Sequence, residues 1–403
     1  MTSRIKEDIE AIGKIGKDQR GGNSRPALSP EDIEARLYLI ERMREAGLEV
    51  YVDDAANIIG VRKGRLKEPY VSTGSHVDTV MNGGIFDGVL GVVGGLETMR
   101  QLNEDRVETK FPMVLVVFTD EEGNSFMPFV GSKYFAGEIS NELSDLKGKY
   151  ELISFKDALE RFLRRVEGKV KKIGRFPYAL RNHVELHVEQ GPILYQRKVQ
   201  IGVVTGIVGV QRAWVEFTGR QAHAGSTPMD MRSDPMISAA KTIEKVREIA
   251  IQMDMVGTVG FVEVSPNVIN VIPGKVRIGV DLRSLSKEDM KKAISSVVSY
   301  ALESSSPEGV KVDVTEFFEE PVLCSPRVVE EVKRSSEEAG FSYMELPSRA
   351  VHDSQVMAKV TDVGMIFVPS RDGVSHAPEE WTEWEDCDRG QETLKRTLLS
   401  LQS

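Results

Sequence analysis

The chain has 403 residues, a length that exceeds what one hydrophobic core usually organises and therefore favours two compact units. Hydrophobic residues make up 40% and charged residues 28%, which matches ordinary globular proteins and argues against a disordered or fibrous one. The 52 basic and 62 acidic residues give a formal net charge of −10 with no long basic run, so nucleic acid is not an expected partner.

The first part of the chain alternates helical and extended patterns. Apolar residues at roughly helical spacing predict a helix from Pro30 to about Leu48. Apolar runs rich in β-branched residues predict strands in VYVDDAANIIGVRKG, in YVSTGSHVDTV and at Met113–Phe118, with a closely packed, glycine-containing helix in GVLGVVGGLETMRQL. Strands that alternate with helices indicate an α/β layer with a largely parallel sheet.

The middle of the chain has a different texture. Residues 138–182 are rich in charge and are predicted to be helical. From about residue 210 to 322 the pattern is strand, helix, two strands, helix and strand, which can close into a small four-stranded α+β sandwich. The tail then returns to a helix at 326–339, an apolar strand in GMIFVPS and a last helix at 387–401. We therefore predict a second domain inserted into the first.

The ends and the cysteines limit the kinds of site that we expect. The start of the chain lacks the apolar segment of a signal peptide, and the apolar runs are too short to span a membrane, so we expect a cytoplasmic protein without a membrane partner. The two cysteines, Cys324 and Cys387, lie in dissimilar surroundings and predict neither a disulfide framework nor a thiolate zinc site. Any metal would have to use imidazole and carboxylate ligands.

Four of the six histidines stand beside acidic residues or glycines at the ends of apolar runs. In GSHVDTV, His76 and Asp78 would point to the same side of an extended chain, so Asp78 could orient the imidazole as carboxylates behind metal-binding histidines do. In GGIFDGVLG, Asp87 lies between glycines that permit close approach to an ion. The alternatives are a surface His–Asp pair and an ordinary Asp-Gly turn.

Further acidic and histidine residues follow the same logic. Glu121 and Glu122 stand at the carboxyl end of a buried strand, where α/β sheets place ligands, and divalent cations would offset the repulsion among these carboxylates. ELHVEQGPIL places His187 between glutamates on one strand face, and His376 follows the strand GMIFVPS. A solvated acidic loop and a polar face on a half-exposed strand are the alternatives. Jointly, these donors suit zinc, manganese or cobalt.

Eight ordered motifs resemble those of the M20 metallopeptidase-like amidohydrolases: GSHVDTV, GGIFDGVLGV, FTDEEGN, LHVEQGPIL, GVVTGI, GRQAHAGSTPMDMRSDP, IPGKVRIGVDLRS and VSHAPEEW. They are most similar to the branch with N-carbamoyl-L-amino acid hydrolases, allantoate amidohydrolases and bacterial-type β-ureidopropionases, over about residues 30–400. The resemblance implies a mixed-sheet α/β/α catalytic domain of the zinc exopeptidase type at 1–209 and 323–403. It also implies an inserted four-stranded α+β lid or dimerisation domain at 210–322.

The same resemblance implies two divalent cations per subunit, expected to be Zn²⁺, with Mn²⁺, Co²⁺ or Ni²⁺ as alternatives. The five implied ligands are His76, Asp87, Glu122, His187 and His376. Asp87 would bridge the two cations. Glu122 and His376 would complete one site, and the other would use His76 and His187.

Catalytic and substrate-binding roles are implied as well. Glu121 would be the general base that takes a proton from a metal-activated water and passes it to the leaving nitrogen. His223 would stabilise the oxyanion, often as a contribution from the partner subunit, and Gln190, Asn270 and Arg283 would bind the polar end of the substrate. Arg283 suits a carboxylate because its planar guanidinium can donate two parallel hydrogen bonds. A loop histidine and an ordinary strand-end arginine are the alternatives.

Two segments depart from the pattern of this branch. Residues 348–353 read SRAVHD where the branch often has SGAGHD, and Ser125 stands where an arginine commonly precedes the phenylalanine. Arg349 and Val351 add bulk and a charge to a presumed binding loop. We therefore expect Arg349 to bind the substrate carboxylate, either together with the residues that bind it in this branch or in their place.

Together these motifs predict a homodimeric hydrolase that cleaves a linear amide bond in a small anionic N-carbamoyl or ureido substrate. The dimer is expected because the inserted domain would otherwise expose an open sheet edge. An aminoacylase or dipeptidase of the same superfamily is one alternative. A catalytically silent binding protein of the same fold is the other.

Overall fold

The computed structural model describes residues 3–403, except for the side chain of Asn141. The chain divides into two compact units. The larger unit comprises Met1–Thr205 and Cys324–Ser403, and the smaller unit comprises Gly206–Leu323. The predicted insertion, residues 210–322, therefore lies within the smaller unit.

Helices and strands alternate along the chain. The helices are α1 (Arg4–Gly13), α2 (Pro30–Glu45), α3 (Val89–Glu104), α4 (Val130–Ala136), α5 (Phe155–Arg165), α6 (Ile193–Arg197), α7 (Pro235–Gln252), α8 (Lys287–Ser305), α9 (Pro326–Glu338), α10 (Asp353–Met357) and α11 (Trp384–Ser400). The strands are β1 (Glu49–Val52), β2 (Ile58–Arg62), β3 (Tyr70–His76), β4 (Met113–Phe118), β5 (Lys171–Lys172), β6 (Leu180–Val188), β7 (Ile201–Ile207), β8 (Gly209–Thr218), β9 (Ala222–His223), β10 (Val256–Ser265), β11 (Val271–Ile272), β12 (Lys275–Ser284), β13 (Lys311–Glu319), β14 (Val322–Leu323), β15 (Tyr343–Ser348) and β16 (Asp362–Val368). Within residues 3–403, none of the helices combines the length and the apolar character that crossing a membrane requires.

The larger unit is built on one mixed sheet. Its strands run in the order β7-β16-β6-β3-β4-β2-β1-β5, and β15 also pairs with β7. The central strands β16, β6, β3 and β4 are parallel to their neighbours in this group, whereas β2 pairs antiparallel with both β4 and β1. Every residue of β3 and β4 is buried, as expected for strands covered on both faces. The predicted α/β class with a mixed sheet is confirmed; parallel pairing dominates at the centre, and the short β1–β5 pair at one edge is also parallel.

Helix α3 packs closely on this sheet, with its backbone in contact with the strands. The glycines that make the approach possible are Gly91, Gly94 and Gly95. A Cβ atom on Gly91 would lie 2.3 Å from the carbonyl oxygen of Leu186, so a larger residue would force the helix away from the sheet. Because α3 begins at Val89, its position also sets that of the preceding turn, which carries Asp87.

The smaller unit contains a four-stranded antiparallel sheet in the order β10-β12-β8-β13. Helices α7 and α8 pack against each other and on this sheet. In β12, buried residues alternate with partly exposed ones from Val276 to Leu282, the period of a strand with one covered face. The predicted four-stranded α+β unit is thus present, and its role as a lid or dimerisation domain stays a prediction.

Residues 138–182 contain less helix than the sequence predicts. Only α5 is α-helical in this stretch, with a short 3-10 helix at Asn141–Asp145 and the two-residue strand β5 on either side. Gly148 and Gly168 flank α5 on either side, and Gly168 has a φ of 73°, which a continuing helix cannot include. The prediction was wrong there because charge content does not outweigh such interruptions.

Candidate metal centre

Parallel strands bring the predicted ligands to one edge of the main sheet. His76 is the last residue of β3 and lies opposite Phe118, the last residue of β4, which leads into the acidic loop 119–123. His187 lies near the end of β6, and His376 lies in the loop after β16, the parallel neighbour of β6. The carboxyl ends of parallel strands share an edge, where α/β folds hold their ligands.

Asp87 lies between two groups of ligands. Its Oδ1 is 3.6 Å from His76 Nε2 and 3.2 Å from His187 Nε2, while its Oδ2 is 3.2 Å from His376 Nε2. Glu122 Oε1 lies 3.5 Å from the same nitrogen of His376. The structure therefore brings all five predicted ligands together, in two groups that share Asp87.

The two groups fit divalent cations. In each group the ligand atoms lie within 4.8 Å of one another, and all are imidazole nitrogens or carboxylate oxygens, which zinc, manganese and cobalt bind. The turn after Asp87 is shaped for close approach: Gly88 has a φ of 66°, and a Cβ atom there would lie 2.5 Å from the ring of His76. The residues present can thus hold two cations that share one carboxylate.

Without a cation, the imidazoles and Asp87 must compensate one another. Burial disfavours the charged form of His76, but the charge of Glu121 and a hydrogen bond to Asp87 raise its pKa well above the usual range. Burial would raise the pKa of Asp87, yet hydrogen bonds from His187 and His376 hold it well below the usual range. The proton balance of this cluster is therefore set by contacts that a cation would replace.

Glu121 stands beside the ligand groups without belonging to either. Its Oε2 is 3.6 Å from His76 Nε2, and its side chain is buried. Burial raises the pKa of Glu121 well above the usual range, and the charge of Glu122 adds to the rise although His76 opposes it. Burial and the charge of Asp87 raise the pKa of Glu122 to about 7. A cation at Glu122 would favour its ionised form.

The contact between Asp78 and His76 differs from the one that the sequence predicts. The imidazole donates from Nδ1 to the backbone carbonyl of Asp78 at 3.0 Å, whereas the carboxylate lies 3.9 Å away. Because β3 ends at His76, the alternation of an extended chain stops there, and the Asp78 carboxylate instead accepts the N–H of Glu122 at 3.3 Å. The carbonyl of Asp78 thus orients His76 and leaves Nε2 facing Asp87.

Strand β6 is buried from Asn182 onward, so it is not the half-exposed strand that was the alternative. Glu185 accepts hydrogen bonds from the hydroxyls of Ser75 at 2.7 Å and Ser354 at 2.6 Å. Glu189 accepts two backbone N–H groups at the start of α6, at 2.8 Å each. His183, which the sequence leaves unassigned, lies outside the ligand groups.

Two residues at the site escaped the sequence predictions. His352 packs edge-on against His187 with ring centroids 4.5 Å apart, and together with Glu185 they form a third group of ligand-type atoms. Burial lowers the pKa of His352 to about 3, so its ring is neutral. Glu380 accepts the backbone N–H of Asp87 at 3.1 Å. Two sequence signals could have pointed to these residues: His352 lies in the unusual segment 348–353, and Glu380 lies in the same motif as His376, VSHAPEEW.

Two predicted substrate-binding residues lie in the larger unit. Gln190 donates from Nε2 to Asp87 Oδ2 at 2.8 Å and lies 3.4 Å from His376 Nε2, so it contacts the ligand groups directly. Arg349 is exposed and follows β15. Burial raises the pKa of Glu189, and the positive charge of Arg349 opposes that rise, which places Arg349 within electrostatic reach of the end of β6.

His223 and Asn270 lie in the smaller unit, where β9 and β11 pair. His223 is the last residue of β9, and Asn270 lies in the turn just before β11. His223 Nδ1 accepts the backbone N–H groups of Gly225 at 3.0 Å and Ser226 at 3.1 Å. The ring proton must then be on Nε2, which makes the exposed side of His223 a hydrogen-bond donor. The backbone carbonyl of Asn270 accepts the N–H of Ala224 at 3.0 Å, and its side chain is exposed.

Arg283, also in the smaller unit, is engaged in an ion pair. Its Nε donates to Asp281 Oδ1 at 2.8 Å, and Arg212 Nε donates to the other oxygen of Asp281 at 3.0 Å. The two guanidinium groups therefore share one carboxylate. The substrate-binding role of Arg283 stays a prediction.

The chain matches the family described as peptidase family M20/M25/M40 over residues 63–400. An N-carbamoyl-L-amino acid amidohydrolase of Geobacillus stearothermophilus is 39% identical, covering 99% of this chain and 98% of that protein. An allantoate amidohydrolase of Bacillus subtilis is 31% identical, with coverage of 100% and 98%. The crystal structure of a hydantoinase/carbamoylase family amidase from Burkholderia multivorans superposes with a TM-score of 0.93 at 33% identity, covering 99% of this chain and 97% of that one. The chain therefore belongs to peptidase family M20/M25/M40 and, within it, to the hydantoinase/carbamoylase branch.

Proposed function

We propose that the chain hydrolyses the linear amide of an N-carbamoyl amino acid or a related ureido acid, with two divalent cations at Asp87 and Glu121 as the general base. The observation that carries this proposal is a division of roles among buried carboxylates. Asp87 turns one oxygen to each ligand group, while Glu121 stands 3.6 Å from His76 outside both groups. Hydrolysis of an amide by a metal-activated water uses both a metal-ligand site and a separate group that moves protons.

The chain's own residues supply the proton transfers and the orientation. Divalent cations, when bound, lower the pKa of water and polarise a substrate carbonyl. The Glu121 carboxylate takes the proton of the attacking water and delivers it to the leaving nitrogen. Glu122 cannot share this task because it faces His376 in a ligand group. The Nε2–H of His223 is a donor of the kind that stabilises a developing oxyanion.

The substrate class follows from the family branch and from the charge at the site. The relatives named above act on N-carbamoyl-L-amino acids and on allantoate, which are linear ureido compounds with a carboxylate. We assign Arg349 to that carboxylate because it is exposed and belongs to the segment that leads into His352, the neighbour of His187. With one water, an N-carbamoyl amino acid yields the amino acid, carbon dioxide and ammonia.

Metal analysis followed by a coupled ammonia assay tests the proposal. We expect about two equivalents of Zn²⁺ per chain, or of Mn²⁺, Co²⁺ or Ni²⁺, and ammonia from N-carbamoyl amino acids, allantoate or ureidopropionate. N-acetyl amino acids and dipeptides release free amines rather than ammonia and are followed with an amine reagent; turnover of these compounds alone would identify an aminoacylase or dipeptidase instead. Bound metal without turnover of any linear amide would identify a catalytically silent binding protein.

We also propose a homodimer formed through the smaller unit. Strand β10 lies at the edge of the four-stranded sheet, and its residues Phe261 and Val262 are 40% and 50% exposed. An apolar edge strand left open tends to pair with another chain. Sedimentation velocity at micromolar concentration should give the mass of two chains, and a monomer at all concentrations would contradict the proposal.

A further inference from the structure

Glu380 braces the turn that carries Asp87. Its side chain is 3% exposed, and its Oε1 accepts the backbone N–H of Phe86 at 2.8 Å and of Asp87 at 3.1 Å. Glu380 is in none of the groups of ligand-type residues. The contact therefore joins the loop after β16 to the turn before α3 without using the carboxylate of Asp87.

The second oxygen of Glu380 reaches the side chain of Asp87 through a hydroxyl. Ser375 Oγ lies 3.1 Å from Glu380 Oε2 and 3.2 Å from Asp87 Oδ2. A serine hydroxyl has one proton, so it can donate to only one of these carboxylates at a time. Ser375 also precedes His376, and Glu380 is thus linked to two of the three ligands of this group, Asp87 and His376.

The position of the Glu380 carboxylate is itself fixed by packing. A Cβ atom on Gly84 would lie 2.1 Å from Glu380 Oε1, so the bare backbone of the turn rests directly on the carboxylate. The next residue, Trp381, packs edge-on against Phe86 with ring centroids 5.4 Å apart. The turn therefore contacts Glu380 through its backbone and Trp381 through a buried ring.

We propose that Glu380 is a positioning residue that sets how Asp87 presents one oxygen to each ligand group. Asp87 is shared by the groups that contain His76 and His376, so a displacement of its backbone changes both at once. Buried carboxylates behind metal ligands are known to control ligand orientation in this way. The inference rests on the metal-dependent function proposed above. The contact itself joins the Glu380 side chain to backbone N–H groups of the turn and needs no cation.

Two conservative changes separate the reach of the Glu380 carboxylate from its charge. Glu380→Asp keeps the charge and withdraws the carboxylate from the N–H groups, whereas Glu380→Gln keeps an acceptor oxygen at full reach without the charge. We expect Glu380→Asp to weaken Zn²⁺ binding about 10- to 100-fold in a competition titration with a chelator. Glu380→Gln should stay within about threefold of the unaltered chain. The neighbouring Glu379 is exposed, and Glu379→Asp is the matched control with no expected change.

Hydrogen exchange of the cation-free protein gives a readout that does not depend on activity. The amides of residues 84–88 should exchange faster in Glu380→Asp than in Glu380→Gln, since only the former loses the acceptor. Equal Zn²⁺ affinity in Glu380→Asp and the unaltered chain, or a larger loss in Glu380→Gln, would overturn the inference. If the unaltered chain bound no cation or released no ammonia, the proposed function would fail while the exchange experiment still tested the brace.

Discussion

The two units differ in the kinds of side chain that they bury. Among residues 206–323, all of which the structure describes, no buried side chain is charged, and the buried polar residues are Gln211, Ser238, Thr242 and Ser305. The larger unit buries imidazoles and carboxylates side by side at the edge of its sheet, among them His76, Asp87 and Glu121. The core of the smaller unit therefore has no buried charge to compensate, whereas the buried charges of the larger unit depend on one another, and on the proposed cations, for compensation. The two units should therefore respond differently to the same perturbation.

The largest effect, a loss of catalytic rate, is expected when Glu121 in the larger unit loses its charge. Glu121→Gln should lower kcat about 10²- to 10⁴-fold and leave metal content unchanged, because Glu121 moves a proton and belongs to no ligand group. The matched control is Glu244→Gln on the exposed side of α7, which should keep the rate of the unaltered chain. Steady-state ammonia release and metal analysis measure both. A fully metallated Glu121→Gln protein with the original rate would refute the proton role.

Removal of the cations should distinguish the units by stability. A cation at 100 times its Kd stabilises the folded state by about 2.7 kcal/mol, and chelation withdraws that contribution. Because the ligands all lie in the larger unit, hydrogen exchange should accelerate in peptides of residues 70–190 and stay constant in those of residues 206–323. Equal acceleration of hydrogen exchange in both units would show that removing the cations destabilises the smaller unit as well.

An arginine in each unit has been assigned to the substrate carboxylate, and substitution can decide between them. Arg349→Ala should raise KM for an anionic substrate about 10- to 150-fold and leave kcat nearly unchanged, because it removes a charged hydrogen bond worth about 1.5–3 kcal/mol. Arg283, held by Asp281, should contribute less. Arg44→Ala on the exposed side of α2 is the control for loss of positive charge. An unchanged KM in Arg349→Ala would remove its assigned role.

The smallest effect should come from the apolar cores. Ile278→Val in β12 and Ile366→Val in β16 each remove one buried methylene group and should cost about 0.5–1.5 kcal/mol of unfolding free energy. Ile278→Val should leave Zn²⁺ affinity and kcat unchanged, since its strand holds no ligand. Chemical denaturation and metal titration test both variants. Loss of Zn²⁺ affinity in Ile278→Val would show that the metal centre depends on the core of the smaller unit.

Much of the candidate site could be predicted because its signals are local. Histidines and carboxylates at the ends of apolar strands identify a ligand edge, and the structure brings all five ligands and Glu121 together there. The hydrolase class, the family branch and the mixed α/β fold were also predicted and are confirmed by the family match and the structural similarity. The individual roles of the ligands and of Glu121 stay predictions.

The features that were missed depend on long-range or subtle geometry. Glu380 contacts the turn of Asp87 across 293 residues of sequence, and no local periodicity reports such a contact. The orientation of Asp78 depended on where β3 ends, a boundary that the pattern of GSHVDTV does not define. The ion pair between Arg283 and Asp281 joins two residues of one strand, and the substrate-binding role of Arg283 stays a prediction.

The glycines of α3 reverse the usual rule for substitutions in a helix. In an ordinary helix, replacing glycine by alanine raises stability by about 0.4–1 kcal/mol because the unfolded chain loses freedom. At Gly91 the added methyl group would meet the carbonyl of Leu186, and the helix would have to lift from the sheet. Asp87 is anchored to the first turn of that helix and would move with it. These glycines would weaken α3 as an isolated helix, but their small size lets the helix lie close to the sheet. The distance between helix and sheet in turn sets how near the Asp87 carboxylate lies to the imidazoles.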